Sequence, residues 1–300
     1  MSGPPPEQDS LWQQQDLLGS LLAAPASAGP EPTPARGPEA ELQLLPSAEP
    51  EPEPEPQLDR GPSGEQRAVP EFLLILDTET SGLDPREHVC LEVGAILFHV
   101  SGRAVLNQVS FLLPAHSNPA EAINGIAPAI TRLPQPWRQG LACFEAMAAH
   151  ADAALAHNAR FDRQWFGRQE LPELALPWIC SMDDIRWPAE RQLRPSPSVR
   201  DLALAYGVPV WAAHRALTDC IYLAEVFARC DDLELLLEAA LEPRELFRAR
   251  LPYAERHQAK QAGFRWNNPV PGAWTRRLSA REAMALPFAV EPVAEGSAAA

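Results

Sequence analysis

Five residues in three short segments have side chains that could cooperate in chemistry. Asp77 and Glu79 follow an apolar run, and Asp162 lies midway along the chain. His214 and Asp219 stand five residues apart further on. Carboxylate oxygens are the ligands that hard divalent cations prefer, and a neutral imidazole can accept a proton from water. The residue types therefore indicate a metal site beside a proton acceptor.

The first segment lies at the end of a predicted strand. Residues 72–76 are all apolar, which is typical of a strand buried on both faces, and Asp77 to Thr80 follow directly. Because strand side chains alternate, Asp77 and Glu79 share one face and can reach one ion or bridge two. An ordinary acidic boundary between a strand and the turn at Gly82 is the alternative.

The second segment puts Asp162 in the first turn of a predicted helix. His157 to Asp162 follow a short apolar strand over 153–156, so the aspartate can face back across the strand ends toward Asp77. The alternative is a carboxylate that only complements the helix dipole, a contribution of roughly a few tenths of a kcal/mol.

The third segment spans the start of a long amphipathic helix predicted over Arg215 to Arg229. Five helical residues turn through about 500°, so His214 and Asp219 would lie on different faces if both were helical. We therefore put His214 in the loop before the helix, where it can reach an attacking water while Asp219 binds metal. A helix cap or a surface histidine is the alternative.

The remaining pattern predicts the elements that position these segments. Further strands are expected over 90–100, 105–113 and 178–181, and further helices over 137–150, 159–168 and 199–206. The order βββαβαβ followed by helices indicates an α/β fold built on a mixed sheet.

Together, the segments resemble the three motifs of the DEDDh 3′-5′ exonuclease superfamily, which includes the proofreading subunit of bacterial replicative DNA polymerase and ribonuclease T. They read DxET from Asp77, HNxxFD up to Asp162 and HxAxxD from His214 to Asp219, within roughly 71–230. The resemblance implies an RNase H-like mixed β-sheet flanked by helices. It also implies a metal-dependent 3′-to-5′ exonuclease that releases nucleoside monophosphates from 3′ ends.

The same resemblance implies roles for the site residues. His214 would be the general base, and the four carboxylates would hold two Mg²⁺ or Mn²⁺ ions. These carboxylates belong to Asp77, Glu79, Asp162 and Asp219. Substrate contacts are implied for Thr78, Glu79, Thr80, Leu83, Asn124, His157 and Asn158. Leu83 could instead pack on the core, and Glu92 is interpreted as structural.

Composition separates a folded part from two tails. The first 70 residues hold fifteen of the 33 prolines, and their twelve acidic and three basic residues give a charge of −9. Such a segment cannot form a core, and its Glu-Pro run should be an extended spacer. The predicted parts are a disordered Pro/Glu-rich tail over 1–70, an exonuclease domain over 71–232, a helical linker over 233–250, a small α+β accessory module over 251–288 and a disordered tail over 289–300.

The first tail also contains a candidate partner-binding peptide. Gln15 to Leu18 loosely resembles peptides that bind the replication sliding clamp, which suggests a polymerase or clamp partner. A transient helix without a partner is the alternative. The net charge of −15 is unusual for a protein that binds nucleic acid, but bound cations make a carboxylate site locally positive. A nucleic acid with a free 3′ end therefore remains the expected substrate.

The C-terminal module combines aromatic and basic residues in a predicted helix, strand, turn and strand. It is similar to a small module that recurs beside primases and other DNA-processing enzymes. The residues concerned are Tyr253, Arg265, Trp266, Trp274, Arg276 and Arg277. They could stack on bases and hold phosphates, or the tryptophans could form the module's own core.

Cysteine usage and hydropathy suggest a location. The five cysteines form no CxxC pair, which favours reduced thiols, and no apolar run reaches the roughly 20 residues of a membrane span. A cytoplasmic protein without membrane contact is expected. DNA is the preferred substrate, and RNA 3′-end trimming is the second interpretation. A catalytically weak recruitment or scaffold protein is the third, although a scaffold has no physical need for carboxylates that repel one another.

Overall fold

The computed structural model describes residues 69–211 and 215–293, all of which lie within the unit Pro62–Ala300. The predicted tail up to residue 68, with its clamp-like peptide, and residues 294–300 lie outside the described residues. Within the described ranges, no helix combines the length and the apolar character needed to cross a membrane.

A five-stranded mixed sheet forms around the apolar run that starts at Phe72. Its strands are β1 Phe72–Thr80, β2 Cys90–His99, β3 Ala104–Leu112, β4 Ala153–Ala156 and β5 Trp178–Cys180. They stand in the order β3-β2-β1-β4-β5. Leu73 to Leu76 are fully buried, because β1 lies in the middle of the sheet and is covered on both faces.

Strand direction brings the first two segments together. β1 pairs antiparallel with β2 but parallel with β4, and β4 pairs parallel with β5. Because β1 and β4 run in parallel side by side, their carboxyl ends meet at one edge of the sheet. The end of β1 with Asp77 and Glu79 therefore lies beside the segment that follows β4 and leads to Asp162.

Helices cover both faces of this sheet. They are α1 Glu121–Asn124, α2 Pro128–Thr131, α3 Trp137–His150, α4 Ala159–Arg163, α5 Val199–Ala205, α6 Ala216–Ala228 and α7 Leu233–Ala240. Leu73 and Ile75 share one core with α5, α6 and α7, while Leu74 and Leu76 share the other with α3 and α4. This arrangement confirms the predicted α/β class, an RNase H-like mixed sheet flanked by helices.

One predicted helix is shorter than expected. The helix predicted over 159–168 ends at Arg163, because Trp165 and Phe166 both turn into the core and Gly167 follows with a positive φ of 75°. The short helices α1 and α2 are not predicted by the sequence pattern, since four residues carry too little periodicity to be recognised.

A second sheet in the C-terminal part corrects two predictions. The predicted helical linker over 233–250 is helical only as far as Ala240, and Arg244–Ala249 is strand β6. The predicted disordered tail over 289–300 begins with a strand at Val290–Pro292. Both strands depend on pairing with residues far along the chain, which local patterns cannot reveal.

The second sheet carries its own small core. Its other elements are α8 Arg256–Gln261, β7 Arg265–Trp266, β8 Trp274–Ser279, α9 Ala280–Met284 and the last strand, β9. The strand order is β7-β8-β6-β9. Ala259, Phe264 and Leu278 form the buried centre, and partly buried residues that include Trp274 pack around it.

Candidate active site

Two carboxylates lie on the same face at the end of β1. Asp77 and Glu79 are partly exposed and alternate with the buried side chains of Thr78 and Thr80, as the period of 2 in a strand requires. Asp219, in the first turn of α6, joins them. One carboxylate oxygen from each of the three acidic residues lies within 4.8 Å of the other two.

The fourth carboxylate, Asp162, is almost fully buried beside Thr78. Its Oδ1 accepts hydrogen bonds from the Thr78 backbone N–H at 3.0 Å and from the Thr78 hydroxyl at 2.8 Å. Its Oδ2 is also buried but has no hydrogen-bond partner within the described part of the chain. A buried oxygen without a donor is costly unless a cation or a water supplies the missing interaction. Thr78 thus leaves one Asp162 oxygen available to a metal ion.

Burial and mutual repulsion make this cluster hard to ionise without cations. Burial raises the pKa of Asp77 well above its usual range, and the carboxylates of Asp162 and Asp219 raise it further. Burial also raises the pKa of Glu79 to about 8 and that of Asp162 to about 7. A cation among these groups would favour their ionised forms, so metal ions and protons compete for the site.

A glycine in β2 sets how closely the helix with Asp219 approaches the sheet. Gly94 pairs with Asp77 across the two strands. A Cβ at Gly94 would lie 2.2 Å from the backbone nitrogen of Leu217 and 2.4 Å from the carbonyl carbon of Ala216. Only glycine therefore lets the first turn of α6 lie against this strand. No local pattern in the sequence reveals this role, because the contact joins residues far apart in the chain.

An ion pair with a buried carboxylate fixes the start of α6. Glu92 Oε2 accepts hydrogen bonds from Arg215 Nε at 2.9 Å and from the Ala216 N–H at 3.3 Å. Its Oε1 accepts from a second guanidinium nitrogen of Arg215 at 2.7 Å and from the Ser110 hydroxyl at 3.0 Å. Both oxygens are engaged by protein donors, which supports the structural interpretation of Glu92 and orients the helix that carries Asp219.

The segment that contains the predicted general base is described only on either side of residues 212–214. Before these residues, the Trp211 ring meets the Tyr222 ring edge-on with centroids 4.9 Å apart, and the Trp211 backbone N–H donates to the Tyr222 hydroxyl at 3.0 Å. After these residues, Arg215 forms an ion pair with Glu92. His214 lies outside the described residues, so its role stays a prediction.

The turn after β1 presents an apolar side chain to solvent. Leu83 is 79% exposed, which argues against the interpretation that it packs on the core. Its backbone carbonyl accepts a hydrogen bond from the Gln164 side chain at 3.3 Å, which ties the turn to the chain after α4. The exposed side chain is thus available for contact with a ligand.

Asn124 differs from expectation because its side chain is buried inside the protein. Its Nδ2 donates to the Thr80 carbonyl at 3.0 Å, and its Oδ1 accepts from Asn118 Nδ2 at 2.9 Å and from the Ile126 N–H at 3.1 Å. The amide is used for internal support, so this geometry does not favour the predicted direct contact with substrate. Asn124 instead holds the backbone at the end of β1.

His157 and Asn158 follow β4 on the other side of the strand ends. The Nδ1 atom of His157 hydrogen-bonds with the Ser181 hydroxyl at 2.9 Å. Burial lowers the pKa of His157 to about 4, so the imidazole is neutral near neutral pH. Asn158 is exposed in a left-handed conformation with φ of 74° just before α4. Its amide is therefore accessible, whereas one nitrogen of His157 is already engaged.

A family model described as Exonuclease matches residues 74–227, a range that contains all four carboxylates. The chain belongs to this exonuclease family. The match confirms the resemblance of its motifs to the DEDDh superfamily, and the chain is a 3′-to-5′ exonuclease of nucleic acids. A second model, a domain of unknown function (DUF8626), matches residues 245–293 of the exonuclease. A search of curated proteins finds no match.

Solved structures similar to this exonuclease include three with different nucleic acids. Exonuclease X in complex with 5′ overhanging duplex DNA is 26% identical over 56% of this chain and 99% of its own, with a TM-score of 0.42. Escherichia coli exonuclease I with a dT13 oligonucleotide is 18% identical over 63% of this chain and 50% of its own, with a TM-score of 0.45. A 3′-exonuclease that recognises a histone mRNA stem-loop is 15% identical over 59% of this chain and 87% of its own, with a TM-score of 0.45. This exonuclease therefore spans about half the length of exonuclease I.

The carboxylate cluster fits the use of a divalent metal by this exonuclease. The carboxylates of Asp77, Glu79 and Asp219 offer hard oxygen atoms, and the buried Oδ2 of Asp162 has no hydrogen-bond partner among the described residues. Asp77, Glu79 and Asp219 form a group that could hold a metal ion, and a role for Asp162 as a further ligand stays a prediction.

Proposed function

We propose that this exonuclease removes nucleoside monophosphates from the 3′ ends of DNA with two Mg²⁺ or Mn²⁺ ions and with His214 as the general base. The observation that carries the proposal is the convergence of Asp77, Glu79 and Asp219. Asp162 lies close enough to act on Asp77, and its buried Oδ2 has no hydrogen-bond partner among the described residues. Sites for hard divalent ions are built from such oxygen atoms.

The carboxylates that would hold the metal lie on one strand and two helices. Asp77 and Glu79 extend from one face of a central strand, and Asp219 approaches from α6. Thr78 fixes one oxygen of Asp162 and thereby orients the other. When bound, two divalent ions lower the pKa of a water molecule and offset negative charge on the attacking and leaving oxygens.

His214 has the chemistry needed to take the proton of the attacking water. An imidazole with an ordinary pKa of about 6.5 is mostly neutral at working pH and accepts a proton readily. The water oxygen bonds to phosphorus, the bond to the 3′ oxygen of the preceding nucleotide breaks, and solvent protonates that oxygen. His214 directly precedes Arg215, which forms an ion pair with Glu92.

Contacts with the terminal nucleotide come from both sides of the strand ends. The exposed Leu83 is suited to pack against the face of the last base, and the exposed Asn158 to reach its sugar or phosphate. Thr78 contributes indirectly, since Asp162 already uses its N–H and hydroxyl. Glu79 and the backbone of Thr80 also contact the terminal nucleotide, and the neutral His157 lies beside them.

Trimming of RNA 3′ ends is the second candidate within this reaction class. The same carboxylates serve both polymers, and no described residue is assigned to reading a 2′-hydroxyl. The scaffold interpretation is disfavoured, because keeping repelling carboxylates together costs stability. Any proofreading role requires a polymerase partner; the clamp-like peptide Gln15 to Leu18 and the cytoplasmic location stay predictions.

The test compares 5′-labelled single-stranded DNA and RNA of the same sequence with Mg²⁺ and with Mn²⁺. We expect stepwise 3′ shortening that is faster on DNA. His214→Ala should lower kcat about 100-fold or more, the usual effect of losing a general base. His116→Ala, which alters an exposed histidine outside the site, is the matched control and should leave kcat unchanged. Faster cleavage of RNA would reverse the substrate assignment, and an unchanged kcat in His214→Ala would remove the histidine from the mechanism.

A further inference from the structure

Residues 245–293, which match a domain of unknown function, are the basic part of an acidic chain. They hold eight Arg and Lys against four Asp and Glu, a charge of +4. Residues 74–227 hold twelve basic against seventeen acidic residues, a charge of −5. A polyanion is attracted to the first region and repelled by the second. The segment 245–293, here called the basic module, thus carries the net positive charge that attracts nucleic acid and that the exonuclease domain lacks.

The basic module exposes a tryptophan that its core does not use. Trp266 in β7 pairs with Trp274 in β8, so both side chains lie on one face of the sheet, with ring centroids 5.6 Å apart. Trp274 packs on the core, but Trp266 is 51% exposed. The alternative in which both tryptophans form the core therefore holds for Trp274 only. An exposed indole is a surface on which a base can stack.

Basic side chains lie on the same face as this tryptophan. Leu278, four residues beyond the partly buried tryptophan of β8, points to the same face and shares the core with Ala259 of α8. Helix α8 therefore covers this face, and its outer side carries the exposed Arg256 and Lys260, one helical turn apart. The guanidinium of Arg256 stacks on the exposed ring of Tyr253 at 3.9 Å.

Arg256 and Lys260 differ from most other basic residues of the module in their ion pairing. Arg248 and Arg250 both form ion pairs with Glu291. Within the described ranges, no ion pair with a carboxylate involves Arg256 or Lys260. Their charge is therefore available to a phosphate.

The basic module contacts a segment that borders the active site. Arg265 donates to Asp183 Oδ1 at 2.7 Å. Asp183 lies two residues after Ser181, whose hydroxyl hydrogen-bonds with His157 beside the strand ends. Trp266 follows Arg265 directly, so the exposed ring belongs to the residue next to this contact.

A second set of ion pairs makes the same attachment. Arg186, from the exonuclease domain, pairs with Glu282 of α9 at 2.6 Å. Arg244, at the start of β6, has a nearly buried side chain that lies 3.9 Å from the Asp184 carboxylate of the exonuclease domain and donates to the Asp184 carbonyl at 3.1 Å. A nucleic acid bound to the module is thus held by a part that is packed against the exonuclease domain.

We propose that the basic module binds the single-stranded part of the substrate behind its 3′ end, with Trp266 stacking on bases and with Arg256 and Lys260 contacting phosphates. A nucleic acid fits this face because exposed rings occur together with cations that pair with no carboxylate of the described residues, and every base has a face for stacking. The position of the 3′ end in the catalytic site rests on the proposed function, whereas binding to the module does not require hydrolysis.

The test measures binding of a fluorescently labelled single-stranded DNA oligonucleotide to the full chain by anisotropy in EDTA, which prevents hydrolysis. We expect Trp266→Ala to raise Kd about tenfold, as for the loss of one stacked base, and Trp266→Phe to retain most of the affinity. Replacing Arg256 and Lys260 by Glu should raise Kd and lower the slope of log Kd against log salt by about two. Met284→Ala alters an 82% exposed residue of the same module and is the matched control.

Two results would overturn the proposal. One is a Kd within about twofold of wild type in both Trp266→Ala and the double charge reversal. The other concerns a synthetic peptide with the acidic sequence of residues 49–56. If both variants bound this peptide more weakly than wild type but bound the oligonucleotide equally well, the face would be assigned to a protein segment.

A second readout separates this proposal from the proposed function. With Mg²⁺, Trp266→Ala should raise KM for long single strands and leave the hydrolysis of a nitrophenyl ester of thymidine monophosphate unchanged. Absence of hydrolysis by the wild-type chain would count against the proposed function, while the binding result in EDTA would still decide the role of the module.

Discussion

At the scale of single residues, the site is a group of carboxylates in which one buried oxygen, Asp162 Oδ2, has no hydrogen-bond partner among the described residues. Thr78 occupies one oxygen of Asp162, and the other has no donor among the described residues. Burial and neighbouring carboxylates raise the pKa of Glu79 to about 8. Ionising the cluster is therefore unfavourable until cations bind, and the metal-free protein carries this cost.

Glu79→Gln should stabilise the metal-free protein. Glu79 has a usual pKa of 4.5 but titrates near 8 in the folded chain, so the folded state holds an extra proton between these values. Stability then falls as pH rises through this window, and the full penalty is present above it. In EDTA above pH ~8, we expect a gain of about 1–3 kcal/mol after allowance for solvent screening.

The control for this prediction is the same pair of proteins at lower pH and with metal. The gain should vanish below pH ~4.5, where the carboxyl is protonated in both states, and Mg²⁺ should stabilise wild type more than the variant. Equal melting temperatures of the two metal-free proteins at high pH would contradict the prediction.

His157 should make stability fall in acid. Burial lowers the pKa of His157 from 6.5 to about 4. Between these pH values, the imidazole is therefore protonated in the unfolded chain but neutral in the folded chain. The contribution of His157 to the free energy of unfolding is complete above pH ~6.5 and is lost as pH falls toward ~4, a change of about 3 kcal/mol. Urea unfolding across this range should show a smaller loss in His157→Gln than in wild type. The exposed His150, changed to Gln, is the control, and an unaltered pH dependence in His157→Gln would disprove the assignment.

At the scale of elements, the approach of α6 to the sheet decides whether Asp219 reaches Asp77. Two residues of β2 control this approach. Gly94 removes the steric barrier to the first turn of α6, and Glu92 binds the residues at its start. The convergence of the carboxylates of β1 and α6 thus depends on residues of a neighbouring strand.

Gly94→Ala should weaken metal binding as well as stability. The added Cβ would overlap the backbone of α6, so we expect about 1–3 kcal/mol of destabilisation and a lower affinity for Mn²⁺ in calorimetric titration. Gly140→Ala is the control, since its Cβ would lie 2.8 Å from Phe111 Cβ, in contact with β3 rather than with a ligand-bearing element. It should leave Mn²⁺ affinity unchanged. Wild-type affinity in Gly94→Ala would show that the close approach is not required.

The elements differ in how far their own residues determine them. The helix Trp137–His150 has the predicted bounds, and the run over 72–76 lies in a central strand, because burial leaves a local pattern in both. Strand period likewise predicts the shared face of Asp77 and Glu79. The strand Arg244–Ala249 carries no such pattern and forms by pairing with distant strands.

The site was predictable to a similar extent. Motif spacing identifies the carboxylates that converge, but it does not reveal the packing at Gly94 or the internal bonds of Asn124. Both features depend on contacts between residues far apart in the chain. The position of His214 lies outside the described residues, so its role rests on the motif alone.

At the scale of the whole molecule, charge is distributed unevenly. The net charge is −15, of which the first 70 residues contribute −9, whereas residues 245–293 carry +4. Long-range repulsion slows the approach of a polyanion, and salt screens this repulsion. The acidic N-terminal part and the basic module should therefore act in opposite directions on association with DNA.

Neutralising the Glu-Pro run should speed association with DNA. Replacing the four glutamates of residues 49–56 by glutamine removes charge but keeps chain length. At low ionic strength we expect kcat/KM on single-stranded DNA to rise several-fold, roughly in line with electrostatic effects on association rates. The difference should disappear at high salt, which serves as the control. Equal kcat/KM at every salt concentration would show that the run has no electrostatic effect on the substrate.

The central claim is that the converging carboxylates hold the metal ions that hydrolysis of a 3′ end requires. Its most direct test follows 5′-labelled single-stranded DNA with wild type and Asp77→Asn, in Mg²⁺ and in EDTA. We expect a ladder of 3′-shortened products with wild type in Mg²⁺, none in EDTA, and a loss of roughly a hundredfold or more in Asp77→Asn. Cleavage in EDTA, or activity of Asp77→Asn close to that of wild type, would contradict the claim.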